Sequence, residues 1–170
     1  MYQNASSEIL RPVNPLLIWL TVIAALLFNA LPWDGLWLDL RPDFVALVLL
    51  YWSLYQPHRL GIGLAWAVGI LADVGDASLF GQHALAYTVL AFGGAMLHRR
   101  LQMFELREQT AQVFGILALT YGVYALVHWQ VNGYVVWTYF LGCLTSALMW
   151  IPLGLMLGAL GRRRAERRFS

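Results

Sequence analysis

The sequence predicts an all-α fold: a polytopic membrane protein, built as a six-transmembrane-helix bundle in one integral membrane domain spanning residues 1–170. Three observations lead there. Of the 170 residues, 60% are hydrophobic and only 12% charged, whereas soluble domains carry about 25% charged residues. The apolar residues gather into six segments, at roughly 15–31, 42–55, 60–72, 83–97, 110–127 and 137–160. The basic residues, all of them arginine, fall almost entirely on alternate connections.

Segment 15–31 is long enough to cross with some tilt, since about 20 helical residues span the hydrocarbon. It lacks the basic leader and small-x-small cleavage site of a signal peptide. Only Arg11 precedes it, Glu8 offsets that charge, and Phe28-Asn29-Ala30 places a large residue where a small one is needed, so it reads as a retained anchor. Segment 42–55 is short. Pro42 and Asp43 suit a helix start, where proline is tolerated and an acid complements the dipole. Arg41 is placed to pair with Asp39 or Asp43, and Pro57-His58-Arg59 ends the segment. Segments 60–72 and 83–97 are also short and need protein around their ends. Were 42–55 and 60–72 a re-entrant pair, Arg59 would sit at membrane depth, at a cost of at least a few kcal/mol. Segments 110–127 and 137–160 are long enough to span, and Pro152 is expected to kink the latter.

Six crossings with both termini cytoplasmic put Arg11, Arg59, Arg99, Arg100, Arg107, Arg162, Arg163, Arg164, Arg167 and Arg168 inside and only Arg41 outside, as the positive-inside rule requires. Asp34, Asp39, Asp43, Asp73 and Asp76 fall outside. Trp33, Trp37, Trp129 and Trp137 cluster at the outer connections, where indoles favour the interface. Trp19, Trp52, Trp66 and Trp150 lie deeper and are expected to pack. The tail arginines, Arg162 to Arg168, fix topology and can also bind anionic membrane lipids. Cys143 is the only cysteine, so it forms no internal disulfide.

Chemistry-bearing groups are few. Asp73, Asp76, His83 and His128 share the outer side and could in principle bind a metal or move protons. They read more simply as turn acids, caps and boundary histidines. Ser78 between Asp76 and His83 lacks anything to form an oxyanion hole. The polar side chains at mid-membrane depth are Asn29, Ser53, Thr88, Thr120, Thr145 and Ser146, with no charge in mid-helix. No catalytic residue, cofactor, metal site or nucleic-acid partner is expected.

Small residues recur every fourth position. Gly61, Ala65 and Gly69 form a stripe that Asp73 ends, and Gly142, Ser146, Gly154 and Gly158 form another, with Trp150 in the gap. Such stripes let helices approach closely, within the protein or with a partner. Asp73 is open to three roles: stabiliser of a helix end, anchor for Arg41, or acceptor for a partner's polar group. The stripe favours the second or third.

The stretches "RPDFVALVLLYWSLYQPHR" and "GILADVGDASLFGQHALAY" resemble the rod shape-determining MreD family in its Gram-negative form. The pattern is Arg-Pro, an apolar run, Tyr-Trp and Pro-His-Arg, then Gly-x-x-x-Asp, Ser-x-x-Gly and Ala-Leu-Ala. It is carried by Arg41, Pro42, Asp43, Tyr51, Trp52, Pro57, His58, Arg59, Gly69 and Asp73. Beyond Leu101 the likeness is one of hydropathy. The resemblance implies a non-enzymatic inner-membrane scaffold or regulatory subunit of the elongasome. It would bind an MreC-like bitopic protein and, through it, link the actin-like MreB to a RodA-type glycosyltransferase and a class B penicillin-binding protein. It also implies a fold similar to the substrate-binding component of energy-coupling-factor transporters. That likeness leaves a small-molecule-binding membrane transporter subunit as the alternative function.

Overall fold

A computed structural model describes residues 14–32, 35, 40–75, 79–135 and 137–166, without the side chains of 162–166. Among these residues the fold is all-helical, with no strand. The helices are α1 (Pro15–Asn29), α2 (Phe44–Tyr55), α3 (Ile62–Gly75), α4 (Gln82–Leu101), α5 (Leu106–Asn132) and α6 (Thr138–Glu166). Each lies over one of the six apolar segments. α5 and the Thr138–Gly161 stretch of α6 are long and apolar enough to cross a membrane, while α1, α2 and α3 are shorter apolar helices. Glu8, Arg11, Trp33, Asp34, Trp37, Asp39, Asp76, Ser78, Arg167 and Arg168, and the side chains of Arg162, Arg163 and Arg164, lie outside the described residues.

Local chemistry sets the helix ends. Asn14 caps α1 by accepting from Leu16 N at 3.1 Å, with Pro15 in the first turn. Asp43 caps α2 by accepting from Ala46 N at 2.9 Å, and Pro57 follows its last turn. The Gly61 carbonyl accepts from Leu64 and Ala65, starting α3. α4 ends in His98, Arg99 and Arg100, which complement the negative end of the dipole. Gly133, at φ +77°, terminates α5 in the left-handed conformation that suits glycine.

The shortest helix is the central one. α2 packs against α1, α4 and α6, and every residue from Val45 to Leu54 is buried. Its twelve residues reach only about 18 Å, short of the roughly 30 Å of hydrocarbon. α3 packs chiefly on α4 and α1 on α2, so both flank the bundle, while α5 pairs with α4 and α6. Trp52 lies in the core and its Nε1 donates to Thr21 Oγ1 of α1 at 2.9 Å. Trp150 is also buried. Trp19 and Trp66, expected to pack, are half-exposed instead. They sit on the outward faces of the two flanking helices, which have protein on one side only.

The small-residue stripes can now be placed. Ala65 is buried, and a Cβ added at Gly69 would lie 2.6 Å from Ala84 N and 2.7 Å from His83 C. The α3–α4 contact there is backbone on backbone. Gly61, at the start of the stripe, faces open space. In α6, Gly142 meets the Tyr121 ring, Gly154 meets Leu106 and Gly158 meets Tyr51. Gly94 of α4 meets Ser53 of α2 in the same manner.

This packing predicts an asymmetric response to added methyl groups. Gly69→Ala must push two helices apart and should cost about 1–3 kcal/mol. Gly115→Ala on the open face of α5, with nothing within 4 Å, should be neutral or mildly stabilising, since alanine favours helix by about 1 kcal/mol over glycine. Thermal unfolding of the two variants in one detergent checks this. Equal midpoints would contradict the α3–α4 contact.

Candidate functional site

Alternating helix direction brings the end of α1, the start of α2, the end of α3, the start of α4, the end of α5 and the start of α6 to one end of the bundle. The buried polar residues Asn29, Asp43, Asp73, Gln82 and Ser146 lie there. The centre is Asp43. Beyond its cap to Ala46, Oδ1 accepts from Asn29 Nδ2 at 3.1 Å and from the Tyr87 hydroxyl at 3.0 Å. Oδ2 accepts from the Tyr124 hydroxyl at 2.8 Å. Its backbone N–H donates to Ser146 Oγ at 3.0 Å, and Ser146 Oγ also bonds the Tyr121 hydroxyl at 3.0 Å. The one residue that caps α2 therefore engages α1, α4, α5 and α6.

A buried carboxylate is tolerable only when hydrogen-bonded throughout. Here two phenols, an amide, a peptide N–H and the positive end of the α2 dipole supply the compensation. Asn29 directs its NH2 at the carboxylate because its carbonyl would be repelled there, and its buried Oδ1 is left without a partner. Arg41 Nη1 donates to the Asn29 backbone carbonyl at 2.6 Å, so the arginine secures the residue that secures Asp43.

Asp73 completes the assembly. It is 1% exposed. Its oxygens accept from Gly81 N and His83 N at 2.8 Å each, with Ala84 N at 3.4 Å. These are the opening N–H groups of α4, so an acid at the end of α3 caps the next helix. Gly81, at φ +96°, is in the left-handed conformation that aims its N–H at the carboxylate. His83 Nδ1 lies 2.9 Å from Asp73 Oδ1, which requires the hydrogen on Nδ1. The His83 ring packs on Tyr87 at 5.6 Å and on Tyr124 at 5.0 Å between centroids. Asp73 and Asp43 are thus joined through the histidine and the two tyrosines.

The sequence placed Asp43, Asp73 and His83 on one side and named Gly142 and Ser146 as packing residues, without showing that Asp43 would be bonded to Ser146 and to tyrosines of α4 and α5. Of the three roles for Asp73, the structure shows the carboxylate acting as stabiliser of a helix end, through its bonds to Gly81 N and His83 N at the start of α4. His128 stands apart from Asp73, with Nδ1 3.2 Å from the Tyr134 carbonyl. Among the described residues no three metal-ligating side chains gather. Tyr87, Tyr121 and Tyr124 escaped notice in the sequence. The available signal was depth: each lies within a few turns of the helix end that faces Asp43.

The opposite end is held by amides. Gln102 Nε2 donates to the Leu54 carbonyl at 2.7 Å, tying α4 to the end of α2. Gln109 Nε2 donates to the carbonyls of Leu101 at 2.9 Å and Phe104 at 3.0 Å, fixing the α4–α5 turn.

Comparison with known proteins is consistent on family. The profile described as rod shape-determining protein MreD matches residues 10–159. Rod shape-determining protein MreD of Haemophilus influenzae is 26% identical over 153 residues, covering 87% of this chain and 94% of that protein. No solved structure matches the chain.

Asp43→Ala removes a cap worth about 1 kcal/mol and strands buried donors at roughly 1–3 kcal/mol each, so a loss of about 3 kcal/mol or more is expected. Tyr124→Phe should cost about 1.5–3 kcal/mol, as a hydrogen bond to a charged group. A double-mutant cycle of Asp43→Asn with Tyr124→Phe should show coupling of at least about 0.5 kcal/mol. Strict additivity in thermal or denaturant unfolding would remove the joint.

Proposed function

The chain belongs to the MreD family, and on that footing we propose that it is a non-enzymatic, multi-pass subunit of the bacterial inner membrane that serves rod-shape maintenance by organising the wall-elongation machinery. Its direct partner in this reading is an MreC-like bitopic protein. Through that protein it helps couple an MreB-type cytoskeleton to a RodA-type glycosyltransferase and a class B penicillin-binding protein.

The family match over residues 10–159 carries the reading. The site adds support of a different kind. The oxygens of Asp43 and Asp73 are bonded to neighbouring helices, as suits a frame that positions other proteins. The proposed topology has six spans and both termini in the cytoplasm. It rests on the arginine distribution and on a matching polarity of the fold. Asp43 and Asp73 are folded inward at one end, while Arg59, Arg99, Arg100 and Arg107 are exposed at the other.

Two measurements test this. Depletion should turn rods into rounded cells with septation continuing, and normal lateral wall incorporation after clean depletion would overturn the scaffold role. Alkaline phosphatase fused after Asp76 should be active and after Arg164 inactive, and the reverse pattern would overturn the topology.

A further inference from the structure

Resting on the six-span reading, we infer that the α4–α5 turn is an anionic-phospholipid site: a fixed apolar tip within a collar of arginines that takes a headgroup phosphate. The tip is Met103, 84% exposed, with Phe104, 37% exposed. Exposed apolar residues on a loose loop would mean little, but this turn is held. Met103 N donates to the Arg100 carbonyl at 3.2 Å and Phe104 N to the Leu101 carbonyl at 3.1 Å. The Gln102 and Gln109 side chains fasten it to α2 and α5. Around it Arg99, Arg100 and Arg107 are exposed, and Arg59 is exposed on the α2–α3 turn at the same end. No ion pair engages these four arginines among the described residues. Glu105 and Glu108 are also exposed there, and Glu108 lies in the first turn of α5, leaving the guanidiniums in excess.

Depth and shape select the occupant. Met96 is 68% exposed one turn before the arginines, and Phe114 is 40% exposed two turns after Arg107. The outward face is therefore already apolar next to the collar, which puts Met96 and Phe114 at the acyl boundary and the guanidiniums, with the tip just beyond them, at headgroup level. Basic side chains flanking a projecting apolar tip suit the interface of an anionic leaflet. The tip is convex. A peptide partner would need a groove to receive its side chains, whereas this turn offers side chains of its own.

The test uses the full chain in nanodiscs with Cys143→Ala and a bimane label on Met96→Cys, the exposed position beside the collar. Brominated phosphatidylglycerol should quench the label at a mole fraction about tenfold lower than brominated phosphatidylcholine. At around 1 kcal/mol per arginine, the first removal should weaken that preference about fivefold, a second should bring it to parity, and Arg99→Gln, Arg100→Gln and Arg107→Gln together should leave none. Equal quenching by the two lipids, or a preference that survives the triple change, overturns the site and leaves the collar to a protein partner. A second label on Leu148→Cys, mid-way along the outward face of α6, separates the two claims. Failure of deep-brominated lipid to quench it would sink the six-span reading instead.

Discussion

The carboxylate of Asp43 is the constraint on which the other helix positions depend. Apart from Ser53, whose hydroxyl bonds back to its own helix, α2 is aliphatic and aromatic around its whole circumference, so burial alone gives it no preferred rotation and little preferred depth. A hydrogen bond is intolerant in both respects. Sliding α2 by one residue moves it about 1.5 Å, enough to break bonds of about 3 Å to Tyr87, Tyr124 and Asn29. In an apolar medium nothing replaces a lost partner. The polar joint therefore selects one register from many that would bury similar apolar area, the specifying role best attested for buried polar groups.

That joint needs a matching restraint at the far end of α2, because one fixed point leaves a helix free to tilt. Gln102 supplies it by donating to the Leu54 carbonyl, and Trp52 adds a lateral tie to Thr21 of α1. Between the two ends the contacts are made by small residues. Gly94 admits Ser53, Gly142 admits Tyr121 and Gly69 admits the Ala84 backbone. Dispersion in such close contacts holds helices together where lipid already solvates apolar surface and association lacks a hydrophobic driving force. Protein on several sides also explains how a twelve-residue helix is accommodated: its ends meet side chains rather than lipid.

The helices were legible because each coincides with an apolar run bounded by its own caps and breakers. The Asp43 cap was legible too, since Pro-Asp before an apolar run signals a helix start. Its second set of bonds was not. Asp43 and Tyr124 are separated by more than eighty residues, and a tyrosine in an apolar helix looks the same whether its hydroxyl meets a carboxylate or the headgroups. Asp73 shows a related limit. The small-residue stripe marked a face of close approach, and the acid at its end was weighed chiefly as an anchor for Arg41 or an acceptor for a partner's polar group. What lay against it was the start of α4, whose free N–H groups are silent in the sequence. Trp19 and Trp66 gave the opposite error: depth along a helix is readable, but which face meets protein is not.

Two populations of charge emerge with separate tasks. The buried acids Asp43 and Asp73 act over bond distances and choose which helices meet. Among the described residues the exposed arginines Arg59, Arg99, Arg100 and Arg107 make no ion pair with those acids and act over the breadth of a headgroup layer, whereas the half-buried Arg41 bonds the Asn29 backbone carbonyl. In the proposed topology they choose which way the finished bundle faces. The separation is physically sensible. A residue that set both fold and orientation would have to be buried for one task and hydrated for the other, and these demands conflict in a low dielectric. Asp and Arg at opposite ends of one bundle resolve the conflict. Neutralising one of the exposed arginines thus leaves the helix contacts intact, whereas neutralising either buried acid acts on the frame before it acts on anything the frame presents.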